Sequence, residues 1–417
     1  MSAHDHKDER RAVVTGIGVV AANGIGVEAF WRTVKAGVSG AGPITLFDAS
    51  KLPNRIAAEV KGFDPKSLFA ASVKWKRMAR HTQFAMAALD MALADAALGD
   101  CLAEATRPVC VTMGVSTSAI EVVESAANSV WKGDEARLRP WLVWASQPHA
   151  VTTTLSEQVG KQVAFQTVST ACKAGADAVL SAVSSIREGR AEIAIAGGAD
   201  APITASTCAA FSAGRLLSGR NDDPLHASRP FDRDRDGGVL GEGAGVLVLE
   251  SLAHARARGA RIWMEVCGGA SCPDAFGTQA ADGLGACMTL ALANSRLSGS
   301  AIDYVCAHGP SDPVIDRVET AMIRSTLGRH ANRIPVSSIK GVTGNPLAAA
   351  GPMELIACAL ALRDAIIPPT ANYETPDPAC DLDYVPQARR TRFEHALVNV
   401  HGMGGGNTTL IVRAPPS

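Results

Sequence analysis

Apolar positions fall into two alternating patterns. Short stretches rich in apolar residues, at Ala12 to Thr15, Val109 to Val115, Ala164 to Ser169, Glu192 to Ala196, Tyr304 to Ala307 and Ala396 to Val400, read as buried strands. Stretches of helical spacing lie between them, as at Val27 to Ala36, and at Ala176, Val179, Leu180, Val183 and Ile186 after the third strand. This alternation predicts an α/β fold with a largely parallel sheet. Residues 1–9 are polar and charged and predict a disordered tail. The Arg/Asp-rich loop Arg229 to Asp236 and the basic stretch His254 to Arg261 divide the rest into halves, 10–259 and 260–417. Each half ends on a strand followed by small residues, Gly197-Gly198-Ala199 in one and Gly402 through Gly406 in the other, a hint of an old duplication.

With 47% hydrophobic residues in 417, the chain can bury a large core. Its 40 Lys and Arg balance 41 Asp and Glu, so no global field points to nucleic acid or an anionic membrane as partner. No run of about 18 apolar residues predicts a membrane span, and no apolar segment follows the first residues as a leader would require. The ten cysteines are scattered without a CxxC pair, which argues against a zinc knuckle or redox dithiol and for reduced thiols in a cytoplasm.

Cys172 stands apart by context. It follows a β-type segment, Phe165 to Thr170, and precedes a helical one, so its thiol is expected at a strand-to-helix turn facing the unpaired N–H groups of a helix start. That position predicts a thiol pKa below the free value of about 8.5, and an oxyanion hole from the same N–H groups. Two other motifs are decoys. Gly16-Ile17-Gly18 follows a strand, but Asn23, Gly24 and Gly26 leave no helix start for a dinucleotide pyrophosphate. Asp232, Asp234 and Asp236 mimic a calcium loop whose twelfth position is Gly243, so no metal is expected.

The segment Val168-Ser169-Thr170-Ala171-Cys172-Lys173-Ala174-Gly175 resembles the nucleophile elbow of β-ketoacyl-(acyl carrier protein) synthases, in their elongating type II fatty acid and polyketide branch. Dispersed motifs in the same order extend the resemblance over nearly the whole chain: Arg11 to Gly16, Arg229-Pro230-Phe231-Asp232, Gly241 to Gly245, Ala307-His308-Gly309, Val336-Ser337-Ser338 with Lys340, and Gly402 through Asn407. The resemblance implies a thiolase-like fold, five-layered αβαβα with two similar halves, the first carrying the nucleophile and the second the His and Asn. It also implies a dimer, as a homodimer or as a heterodimer with a related ketosynthase-like subunit. The partner would be an acyl carrier protein whose phosphopantetheine enters a tunnel, with no further cofactor.

Cys172 then matches the nucleophile, His308 the catalytic histidine, and Lys340 and Glu354 a supporting pair. Where the family carries a second histidine, in Gly-His-x-x-Gly-Ala-Ala-Gly, this chain has Asn345, which donates a hydrogen bond but carries no proton. An atypical Cys-His-Asn site results, of the kind found in priming and chalcone-synthase-like enzymes. Met403 and Gly404 match a gating loop with His401 two positions before the Met, and Pro310 and Asp312 replace two threonines that hold the pantetheine arm. Trp141 and Trp144 lie where the resemblance places acyl-pocket and dimer-contact residues, and Val115 to Ser118 match a wall segment without the family's glycine-rich character. The implied reaction is decarboxylative Claisen condensation of an acyl-Cys172 thioester with a malonyl carrier protein, giving a 3-ketoacyl thioester in polyketide or fatty acid synthesis. Two alternatives are a non-elongating ketosynthase or acyltransferase, and a chain-length-factor-like partner subunit.

Overall fold

A computed structural model describes residues 10–98, 102, 108–160, 163–275 and 281–416, so the proposed tail, 1–9, lies outside the described residues. The strands that carry the fold are β1 (Ala12–Ala21), β2 (Val109–Gly114), β3 (Val163–Val168), β4 (Ile193–Asp200), β5 (Gly243–Ser251), β6 (Met264–Pro273), β7 (Tyr304–Cys306), β8 (Pro335–Ser337), β9 (Asp383–Tyr384), β10 (His395–Gly402) and β11 (Gly406–Arg413). They lie side by side in the order β9-β8-β7-β10-β11-β6-β1-β5-β4-β2-β3.

This order contains one pattern twice. In the first half β3-β2-β4-β5-β1 runs parallel, parallel, antiparallel, antiparallel across successive pairs. In the second half β8-β7-β10-β11-β6 repeats that sequence of directions. The halves join through a short antiparallel contact in which Ala12, Val13 and Val14 of β1 face Val266, Glu265 and Met264 of β6.

Helices supply the other three layers. The middle layer pairs α3 (Ala174–Arg187) with α6 (Ala350–Asp364), which pack on each other and on both half-sheets. Ala176, Val179, Val183 and Ile186 of α3 meet Leu355, Ile356 and Ala359 of α6 in the largest core, while Leu180 stays half-buried. One outer layer contains α2 (Arg80–Ala96) on β1 and β5, and the other contains α4 (Leu284–Ser295) with α5 (Ile315–Leu327) over the second half. Ahead of all of these in sequence, α1 (Val27–Ala36) buries Phe30, Trp31 and Val34 in the central core.

Several boundaries differ from the sequence reading. Gly16 and Gly18 lie inside β1, whose ten residues are all buried, and not in a turn after a four-residue strand. The reason is packing: a Cβ on Gly16 would sit 2.2 Å from the carbonyl oxygen of Ala92, and one on Gly18 would sit 2.0 Å from that of Ala88, so α2 lies directly on the strand backbone. Likewise Gly197, Gly198 and Ala199 are within β4, not beyond it. The aspartates of the calcium-like loop hold protein groups: Asp232 accepts the N–H groups of Glu374 and Thr375, and Asp236 accepts Ser218 and Gly219. Among the described residues no helix is long and apolar enough to cross a membrane.

Candidate active site

Four connections bring the chemistry together. Cys172 lies between β3 and α3, His308 follows β7, Asn345 lies in the turn before α6, and His401 with Met403 closes the β10–β11 hairpin. With Pro310, Asp312, Gly404 and an apolar wall of Phe211, Leu216, Leu217, Val239, Leu240 and Ile315, they line one cavity of about 200 Å³. The site lies beyond the carboxyl ends of β3 and β7, the end at which α/β sheets leave ligand crevices.

The elbow is tightly wound. Ala171 holds a left-handed backbone at φ 60°, costly for a residue with a Cβ, and its carbonyl accepts the N–H of Ala174 as α3 begins. This turn presents Cys172 to the cavity with only 6% of its surface exposed. Gly175 and Gly198 let the turn before α6 press against the elbow, since a Cβ on either would lie 2.1 Å from the carbonyl oxygen of Ala348.

The thiol's acidity is opposite to the sequence expectation. Burial pushes Cys172 up to about 11, an effect that the N–H groups of Met403 and of Cys172 itself, together with the Lys340 ammonium, oppose but do not overcome. Removing a sulfur anion from water costs more than one helix start returns. Asp200 adds to this; it is fully buried, accepts N–H groups from Ser116, Thr117 and Ala348, and is itself raised to about 6 by burial.

His308 is held from behind. Its backbone N–H and that of Gly309 donate to the two carboxylate oxygens of Glu319 at 2.9 and 2.8 Å, and its carbonyl accepts the Lys340 ammonium at 2.7 Å. Burial, then Lys340, then His401 drive the imidazole well below its usual 6.5, so the ring is neutral. Asn345 donates its backbone N–H to Val239, and its Oδ1 accepts from Leu347 at 3.3 Å, leaving Nδ2 without a protein partner among the described residues. His401 stands edge-on to His308 with ring centroids 5.9 Å apart. Met403 is 43% exposed at the mouth.

Some expected residues take other places. Lys340 and Glu354 form a fully buried ion pair behind His308, and neither lines the cavity, where Glu354 was expected among the substrate-binding residues. Asp312 lines the cavity, but its Oδ1 is engaged by the N–H groups of Val314 and Ile315 at the start of α5, and Pro310 has no N–H to offer an arm. Trp141 and Trp144 border separate clefts, and Ser116 and Thr117 are tied to Asp200, so none of these walls the Cys172 cavity. The sequence reading missed Asp200 and Glu319. Asp200 could have been noticed as a carboxylate ending an otherwise apolar strand; Glu319, one charge on an amphipathic helix, gave no such signal.

Family models match on both sides of this site: Beta-ketoacyl synthase, N-terminal domain, over residues 9–255, and Beta-ketoacyl synthase, C-terminal domain, over residues 268–374. The chain belongs to the β-ketoacyl synthase family. It is 44% identical to a putative polyketide beta-ketoacyl synthase 1 of Streptomyces cyaneus, over 97% of this chain and 98% of that protein. It is 40% identical to a 3-oxoacyl-[acyl-carrier-protein] synthase 2 of Synechocystis sp., over 97% and 98% of the two chains. Among solved structures, a chain of the ishigamide ketosynthase/chain length factor superposes with a TM-score of 0.91 at 34% identity, covering 98% of this chain and all (100%) of that one. A chain of a type II polyketide ketosynthase solved in complex with its acyl-carrier protein and bound to the hexaketide gives 0.89 at 32% identity, covering 97% and 100%. This ketosynthase is therefore an acyltransferase with the thiolase-like fold that its doubled strand order displays.

Proposed function

We propose that Cys172 accepts an acyl group from the phosphopantetheine of an acyl carrier protein, and that His308 and Asn345 then stabilise the enolate formed when a malonyl carrier thioester loses CO₂. The enolate carbon attacks the acyl-Cys172 carbonyl and releases a 3-ketoacyl carrier thioester. The observation that carries this reading is the convergence of one nucleophile, one neutral imidazole, one carboxamide and two backbone donors on a single cavity.

Each group has a separable task. The N–H groups of Met403 and Cys172 approach the sulfur and suit the oxyanion formed when Cys172 is acylated or when its thioester is attacked. Removal of one such donor typically costs about 10²- to 10³-fold in rate. His308, too costly to ionise in its buried place, donates a neutral N–H to the enolate oxygen, and Nδ2 of Asn345 supplies the second donor. Lys340 and Glu354 hold the His308 carbonyl and thus the ring's position. Met403 and Gly404 form the mouth that admits the acyl chain, and the apolar wall suits a carbon chain.

The relatives' names support a place in polyketide or fatty acid synthesis and an acyl carrier protein as partner. The free cysteines among the described residues fit a reducing cytoplasm. Phosphopantetheine, arriving on the carrier, is the prosthetic arm this chemistry needs. One observation favours a second reading, transfer without condensation: Asn345 stands where the family's histidine would be.

Intact-protein mass spectrometry with acyl carrier and malonyl carrier separates these readings. The wild type is expected to show acyl-Cys172 and then a 3-ketoacyl carrier, and Cys172→Ala neither. Acyl-Cys172 without ketoacyl product would establish transfer alone, and ketoacyl product from the alanine variant would defeat the assignment.

A further inference from the structure

Loading Cys172 requires removing its proton. The thiol is pushed up to about 11 by burial, so at neutral pH the nucleophile is stored as S–H and a base must act as it attacks. Among the described residues lining the cavity, basic nitrogens come from His308 and His401 alone. The remaining carboxylate, Asp312, is engaged at the start of α5.

The two histidines differ in what stands behind them. His308 has no carboxylate on its ring: Nδ1 is buried without a hydrogen-bond partner, and a lysine ammonium lies behind the residue, so a second positive charge there is opposed. For His401, Nδ1 lies 3.0 Å from Oδ1 of Asn407, an acceptor, which fixes the proton on Nδ1 and leaves the Nε2 lone pair for the cavity that the ring lines. Asn407 in turn donates to Oδ1 of Asp274 at 2.5 Å. Oδ2 of Asp274 stands 3.8 Å from His401 Nδ1, buried and without a hydrogen-bond partner, so a cation formed on this ring meets a waiting negative charge.

We propose that His401 is a further catalytic residue, the proton carrier for acyl loading, backed by the Asn407–Asp274 relay. This rests on the ketosynthase mechanism above. As Sγ of Cys172 bonds to the acyl carbonyl carbon, its proton passes to Nε2 of His401. When the tetrahedral adduct collapses, the bond from that carbon to the pantetheine sulfur breaks, and the departing sulfur takes the proton from Nε2. Charges and protons balance with no further reactant. The titratable and charged groups around His401 are Asp274 behind it, His308 beside it with Lys340 beyond, and the Cys172 thiol. Lys173 runs under Gly402 and Gly406, its ammonium paired with Asp177.

The test is rapid-quench mass spectrometry of acyl-Cys172 formation from an acyl-pantetheine carrier thioester, using the full-length wild type, His401→Phe, His401→Gln and Asp274→Asn from about pH 6.5 to about 9.5. Glutamine preserves a donor toward Asn407, and Asp274→Asn keeps the Oδ1 acceptor while deleting the charge, so neither depends on the ring for folding. Near neutrality the two His401 variants are expected to load about 100-fold more slowly or worse, the deficit closing as pH rises and hydroxide replaces the base. Asp274→Asn should give a smaller deficit of the same pH shape. Loading of the His401 variants at the wild-type rate, or a deficit unchanged across pH, would overturn the role of His401 and leave the ketosynthase mechanism intact. A wild type that never acylates Cys172 would overturn both.

Discussion

Lys340 and Glu354 meet with essentially no surface exposed, and Lys340 also reaches the backbone of His308. Burial raises Glu354 to about 7, with the Lys340 ammonium opposing that rise. Lys340→Met leaves the carboxylate without its counter-charge, a change that typically costs about 3–5 kcal/mol when a buried pair is broken. Without the lysine the carboxyl is pushed higher still, so the folded chain keeps a proton that the unfolded chain releases above its ordinary value of 4.5. Its contribution to stability therefore falls as pH rises through that window, and denaturant titration should find the variant's deficit smaller at about pH 5 than at about pH 8. Lys340→Met/Glu354→Leu should recover much of the loss. The sequence made this pair visible as a match to a family lysine and glutamate, but not its burial, because a lysine and a glutamate fourteen positions apart give no sign of shared desolvation.

Elements meet here through glycine. Gly198 at the end of β4 and Gly175 in the first turn of α3 both face the carbonyl of Ala348, in the turn that presents Asn345. Gly198→Val would drive this turn away from the elbow. Thermal unfolding should show a destabilisation on the order of 1–3 kcal/mol or more, as overpacking does, and condensation should fall further than stability alone explains, since Asn345 moves with the turn. The strand-turn-helix around Cys172 was legible because its pattern is local: a β-type run, a small-residue turn and helical spacing. The extent of β1 and β4 was not, because their internal glycines read as turns until a helix or a loop is known to lie on them.

At the scale of the molecule, β3 ends the sheet with no strand paired to its outer edge among the described residues, and Ala164, Phe165 and Gln166 on it are exposed, Phe165 by 56%. Long apolar edges are normally blunted or covered. A second subunit, identical or related, is the cover expected for this family, and Phe165→Asp should shift sedimentation toward monomer while leaving the melting of the monomer's core little changed. An unaltered sedimentation profile would remove β3 from the subunit interface.

The sequence by itself determined the alternating α/β plan, the strand-to-helix elbow that carries Cys172, and the residues standing in the family's motifs, because each of these is written in neighbouring positions. Tertiary structure alone decided the doubled strand order, the burial that makes Cys172 a weak acid, and the meeting of His308 with His401 and Asp274. These depend on which distant segments exclude water from one another, and desolvation is a property of the assembled cavity that no single stretch of chain carries.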